Sequence, residues 1–198
     1  MLGYAGPPMR QAPRKLSSDE ALYTAALRAL MRRAHSTFEM RLYLERRAEE
    51  PAAAKRILAR LKQEKMIDDE RYALEFARAR AKVRRQGGHR IARELRKRGV
   101  PDRHIESAVA QVFTETDEAA LVRKVIERRL RAARAPLDDK KLASLYRTLL
   151  RAGFDASLIR REVRAAARDA AASTAAAPDA TGDDPPDLPI DDSGDQGP

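Results

Sequence analysis

The chain has 198 residues, with 40 Lys and Arg against 30 Asp and Glu, a formal charge of +10. It has no Cys and three His, at 35, 89 and 104, which excludes disulfide frameworks, cysteine nucleophiles and Cys-based zinc sites and leaves no His cluster on one helical turn. No apolar run approaches the roughly 20 residues of a membrane span, and the N-terminus lacks the apolar stretch of a signal peptide. The expectation is a soluble, cytoplasmic, basic protein with no membrane contact.

Residues 1–16, with three Pro and two Gly, are predicted as a disordered arm. Ser18-Asp19 then starts a helix over 19–33, with acids in its first turn and Leu22, Ala26, Ala29 and Leu30 at helical spacing. Helices follow at 36–47 and 51–65, the latter with Pro51 where a missing N–H costs little. The next three are predicted at 69–84, 88–98 and 101–113, with Tyr72, Phe76 and Ala79 as core positions of the first and Pro101 in the first turn of the last. The final three are predicted at 116–133, 138–152 and 155–170. Gly99 and Gly153 fit the left-handed position after a helix. Period-2 alternation and hairpin turns are missing, so the fold class is all-α.

These nine helices form three groups of three. Asp-Glu opens a helix at 19–20, 69–70 and 117–118. Leu95 to Val109 aligns with Leu149 to Val163 at a constant offset of 54. Ile91/Leu95 maps back onto Met40/Leu44 at an offset of 51. The first group departs at Ala48-Glu49-Glu50-Pro51, where the others have Gly followed by an apolar residue. The organisation predicted is a three-helix repeat at 17–67, a second at 68–114 and a third at 115–172, stacked as an elongated, curved array. Residues 173–198 hold seven Asp and no basic residue, a disordered tail of −7 that leaves +17 on the rest. The tail is either a solubilising segment or a tether that folds back on the basic surface.

Two segments carry a resemblance. Ile67-Asp68-Asp69-Glu70-Arg71-Tyr72-Ala73 resembles an I-D-D-x-x-Y/F-A signature. Gly87-Gly88-His89-Arg90-Ile91-Ala92-Arg93-Glu94-Leu95-Arg96-Lys97-Arg98-Gly99-Val100 resembles a G-x-x-R-I-x-x-E-L-x-x-K-G-I/V segment. His35-Ser36 with Glu39 resembles the opening of the second helix of a first repeat. Together, over about residues 20–168, these resemble the RecX family, regulators of the RecA recombinase. Met66 departs from the small residue usual there, and the acidic tail lies outside the motifs. The resemblance implies a tandem three-helix repeat fold and a non-enzymatic modulator. Such a modulator would bind RecA and its filament on DNA and inhibit recombinase, ATPase and coprotease activity in DNA repair and the SOS response.

The residues themselves point to a polyanion or an acidic protein as partner. Arg78 to Arg103 holds eleven Lys and Arg against Glu94 and Asp102. The candidate contact face is Arg84, Arg85, Arg90, Arg93, Arg96, Lys97 and Arg98, with Arg90, Arg93 and Lys97 three and four apart and all expected exposed. Asp68-Asp69 reads as helix capping rather than a catalytic pair, and His35 as a turn or cap residue. Gly87-Gly88 lacks a phosphate-loop pattern. No catalytic, metal or cofactor residue is assigned. The expected partner is RecA and its filament, with DNA reached directly through phosphates, and the chain a monomer. The alternative is a general basic DNA-binding protein built of helix-turn-helix-like repeats.

Overall fold

The computed structural model describes residues 15–132 and 139–175. Among these residues the chain forms nine helices: α1 (Asp19–Arg32), α2 (Thr37–Arg47), α3 (Pro51–Gln63), α4 (Asp69–Lys82), α5 (Gly88–Arg96), α6 (Asp102–Glu115), α7 (Glu118–Ala132), α8 (Asp139–Ala152) and α9 (Ala156–Ala175). The all-α expectation holds, and the only extended pairing among the described residues is one bridge, Leu16 to Ala48. The arm therefore reaches the fold sooner than its composition predicts, since Lys15 and Leu16 are ordered against repeat 1. Likewise α9 runs into the segment read as tail. The rest of both predicted disordered segments, 1–14 and 176–198, lies outside the described residues.

Helices α1, α2, α4 and α9 start where a short polar side chain satisfies the first free N–H groups, whereas α3, α5 and α6 begin without a side-chain cap. Ser18 Oγ accepts from the Ala21 amide, and Ser36 and Glu39 form a reciprocal capping box. Asp68 Oδ1 accepts from the Glu70 and Arg71 amides at 2.9 and 3.1 Å, so the first of the paired carboxylates is a cap. Asp155 does the same for α9, and the Ser157 hydroxyl with the Leu158 and Ser157 amides holds its carboxyl down at about 2. Pro101 is the residue before α6, not its first turn. Gly99 and Gly153 end α5 and α8 at φ +68° and +90°, dihedrals that a Cβ disfavours.

The extensive helix contacts fall within the triplets α1–α3, α4–α6 and α7–α9. In each, the first and third helices run parallel, as the pairs Asp19–Arg56 and Glu20–Arg60 show for α1 and α3. The buried stripe of α4 is Ala73, Ala77 and Ala81, displaced by one or two positions from the expected Tyr72, Phe76 and Ala79. Three methyl groups let α4 approach α6 closely. Tyr72 and Phe76 therefore stand half-buried beside that contact, and Ala79 faces solvent.

The core is divided unequally. Leu22, Met40, Leu44, Ile57, Leu61 and their neighbours form a cluster confined to repeat 1. A second cluster runs without a break from Ala73 through Ile91 and Leu95 to Leu149, Phe154 and Ile159, so repeats 2 and 3 share one core.

Successive repeats dock in the same way. The N-terminus of the second helix of one repeat meets the turn after the second helix of the next. Between repeats 1 and 2, Ser36 Oγ donates to the Arg98 carbonyl at 2.5 Å, and the Thr37 amide donates to Asp69 at 2.8 Å. Between repeats 2 and 3, the Gly87 amide donates to the Ala152 carbonyl at 2.9 Å, and the Gly88 amide donates to Glu118 at 3.3 Å. The approach is tight enough that a Cβ on Gly99 would lie 2.4 Å from Phe38, and one on Gly87 would lie 2.4 Å from the Gly153 backbone. In repeat 1 the equivalent carbonyl is that of Arg47, and it accepts from the Leu16 amide at 2.7 Å. The arm thus fills the place a preceding repeat would occupy, and Lys15 Nζ adds a bond to the Ala48 carbonyl at 3.0 Å. Without glycine, that first turn is extended at Ala48 and open to this pairing.

Candidate functional site

The basic segment of repeat 2 separates into cations that hold the fold and cations that face solvent. Glu94, half-buried on α5, gathers the first kind. Arg90 Nε donates to it at 3.1 Å and Gln86 at 3.2 Å. Arg80 Nε lies 3.2 Å away, within ion-pair range but angled off a hydrogen bond. Burial alone would raise this carboxyl. The Arg90 hydrogen bond and the Arg80 and Arg90 charges outweigh it and hold Glu94 below the usual carboxylate range.

Arg98 donates to the Glu94 carbonyl at 2.8 Å, and its guanidinium lies 4.6 Å from the Phe76 ring centre, as does that of Arg80. Arg96 is tied to Asp102 at 2.6 Å, and Arg78 to Glu115 at 2.7 Å.

Arg90, Arg93 and Lys97 are therefore not equivalent. Arg90 is half-buried at the repeat 2–3 junction, where it covers Gly153 and donates to the Arg151 carbonyl at 3.2 Å. The i, i+4 spacing was legible in the chain; the partner 61 residues away was not. Arg93 and Lys97 are exposed on α5. Arg84 is exposed and Arg85 half-exposed in the α4–α5 connection. Among the described residues no carboxylate pairs with Arg84, Arg85, Arg93 or Lys97.

Tertiary structure adds cations that the sequence reading missed. Lys124, Arg128 and Arg131 lie at i, i+4 and i+7 on the exposed face of α7. With Arg85 and Glu127 they line a polar cleft of ≈ 380 Å³. Their helical spacing was available in the sequence, but nothing local places them beside Arg85. Arg85 itself sits at φ +50°, where a side chain is disfavoured.

A groove of ≈ 850 Å³ opens between repeats 1 and 2, lined by Leu27, Leu30, Met31, Met66, Tyr72 and Phe76 with Arg71 and Arg98 at its edge. Met31 and Met66 are 85% and 48% exposed there, and Met66 occupies the motif position noted above. His35 is buried edge-on to Tyr43, with Nδ1 2.9 Å from the Arg33 carbonyl. Desolvation and the Arg33 charge push its pKa down, which suits a neutral structural residue. Among the described residues no His, Asp or Glu cluster could hold a metal, and no helix is long and apolar enough to cross a membrane.

Residues 68–109 match the family model of the RecX second three-helix domain. The regulatory protein RecX of Halorhodospira halophila is 38% identical over 153 residues, covering 77% of this chain and 92% of that protein. The regulatory protein RecX of Oceanobacillus iheyensis is 30% identical over 69% of this chain, which spans 50% of that longer relative. The crystal structure of RecX from Lactobacillus salivarius superposes with a TM-score of 0.67 at 20% identity, over 74% of this chain and 95% of that one, and shows the same fold. Motif, repeat architecture and relatives agree, and the chain belongs to the RecX family of regulatory proteins.

Proposed function

We propose that this chain is a cytoplasmic, monomeric regulator that binds the RecA recombinase and its filament on DNA and restrains recombinase, ATPase and coprotease activity. The observation that carries this reading is a repeat array bearing solvent-facing cations without carboxylate partners among the described residues, Arg84, Arg85, Arg93 and Lys97, in the repeat that holds the family motif. A filament is an extended anionic partner. Modest contacts from each repeat add up on it through effective concentration. The chain contributes positioning and charge to this role, with no bond made or broken.

The test is DNA-dependent ATP hydrolysis by RecA with this protein added at stoichiometric amounts. A fall in hydrolysis and in filament lifetime is expected, and unchanged kinetics overturn the reading. Replacing Arg84, Arg93 and Lys97 by Glu should remove the effect while leaving the helical content intact. Arg90 is left unchanged because its reversal would disturb the junction. Equal binding to bare DNA with and without RecA would favour a general DNA-binding protein instead.

A further inference from the structure

We propose that the acidic tail, residues 176–198, docks in the cleft formed by Arg85, Lys124, Arg128 and Arg131 and occupies it until an external polyanion displaces it. This inference goes beyond the RecA reading and does not rest on it.

Three observations carry it. The first is charge. The cleft sets four cations against Glu127, whose one ion-pair partner among the described residues is Arg131, at 3.5 Å. Residues 176–198 carry seven Asp and no cation.

The second is where the chain leaves the fold. α9 runs parallel to α7: Arg123 bonds Glu162 near the middle, and Leu130 shares a cavity with Asp169 further on. The C-terminal end of α9 thus emerges at the same end of repeat 3 as Arg131. Glu127 lines that cavity on one side and the cationic cleft on the other, so the cleft is one helix width from the path of α9. Six further helical residues beyond Asp169 advance the chain by only about 9 Å. The 23 residues after Ala175 can span up to about 75 Å when extended.

The third is Arg85. A left-handed residue after a helix is ordinarily Gly, and here the strained position carries an arginine aimed into the cleft.

The experiment uses the full chain and no RecA, so its failure and that of the proposed function are separable. Zero-length carbodiimide coupling joins a lysine to a carboxylate in direct contact. The chain has nine lysines, of which only Lys124 lines the cleft. Intramolecular links from Lys124 to the tail aspartates are expected, read by mass spectrometry of the monomer band. In parallel, binding of a fluorescein-labelled oligo(dT) is measured with all seven tail aspartates changed to Asn. Affinity should rise about tenfold at low salt and the gain should shrink as salt screens it. The same seven changes should alter nothing in a chain that also carries Lys124→Glu, Arg128→Glu and Arg131→Glu. Links confined to other lysines or to dimers, an unchanged affinity, or a gain that survives the cleft reversal each overturn the proposal. An oligo(dT) affinity that depends on the cleft but ignores the tail would make the cleft a nucleic-acid site alone.

Discussion

The two repeat junctions use the same geometry with different chemistry. Between repeats 1 and 2 the acceptor carbonyl is reached by a side chain, Ser36 Oγ, and the apolar cores on either side remain separate. Between repeats 2 and 3 it is reached by the Gly87 backbone, and one core crosses the boundary. A hydroxyl can stand in for an amide because the second-helix N-terminus approaches its neighbour closely in both cases. The continuous core has a different cause: Leu145, Leu149 and Phe154 of repeat 3 belong to the cluster of Ile91 and Leu95. The array is therefore a body of repeats 2 and 3 with repeat 1 attached through polar contacts and Phe38.

Core truncation tests this division most severely. Leu44 and Leu95 are equivalent by repeat and both are buried at 0% exposure. Each change to Ala should cost about 2–5 kcal/mol. Leu44→Ala should open repeat 1 alone, whereas Leu95→Ala should open repeats 2 and 3 together. Amide exchange across the chain separates these outcomes, and loss of all protection in both variants would show a single cooperative unit.

Next in size is Gly87→Ala, whose methyl would meet backbone on Gly153. Overpacking against a backbone that cannot turn aside should cost about 1–3 kcal/mol, seen as a lower denaturation midpoint for repeats 2 and 3.

Ser36→Ala removes both a helix cap and the repeat 1–2 hydrogen bond. It should cost about 1–2 kcal/mol, with faster amide exchange confined to repeat 1.

The smallest effect is a difference in pH response. Burial raises the Glu118 carboxyl at the repeat 2–3 junction, against the Gly88 amide and His89, with Asp155 adding to the rise. A raised folded pKa means stability present at low pH and lost as pH rises through it. At the repeat 1–2 junction burial opposes ionisation of Glu39, but Arg33 and the Ser36 amide prevail and its pKa falls. Its contribution is present above the ordinary glutamate value of 4.5 and lost as pH falls below it. On acidification from neutrality, repeats 2 and 3 should first gain slightly. Repeat 1 should then weaken below about pH 4.5. Glu118→Gln should flatten the first change and Glu39→Gln the second. Slopes of the same sign in both windows would contradict the assignment.

Much of the architecture was legible in the chain because it is locally encoded. Ser18, Ser36, Asp68 and Asp155 cap the helices they precede, and Gly99 and Gly153 end theirs at positive φ. Other assignments failed for reasons of shape. Tyr72 and Phe76 have core spacing, yet the smaller Ala73 and Ala77 take the helix contact. Leu16 looked like part of an arm until the Arg47 carbonyl claimed its amide.

By itself the sequence determined the helices, the repeat near 50 residues, the family motifs and the excess of positive charge, since each depends on neighbours within a few turns. Only the tertiary structure decided which of those charges are free. Arg90 is drawn into a junction and Arg78 to a glutamate 37 residues away, while Arg85 is set beside three cations of α7. Charge pairing follows distance in space, and helix packing sets that distance.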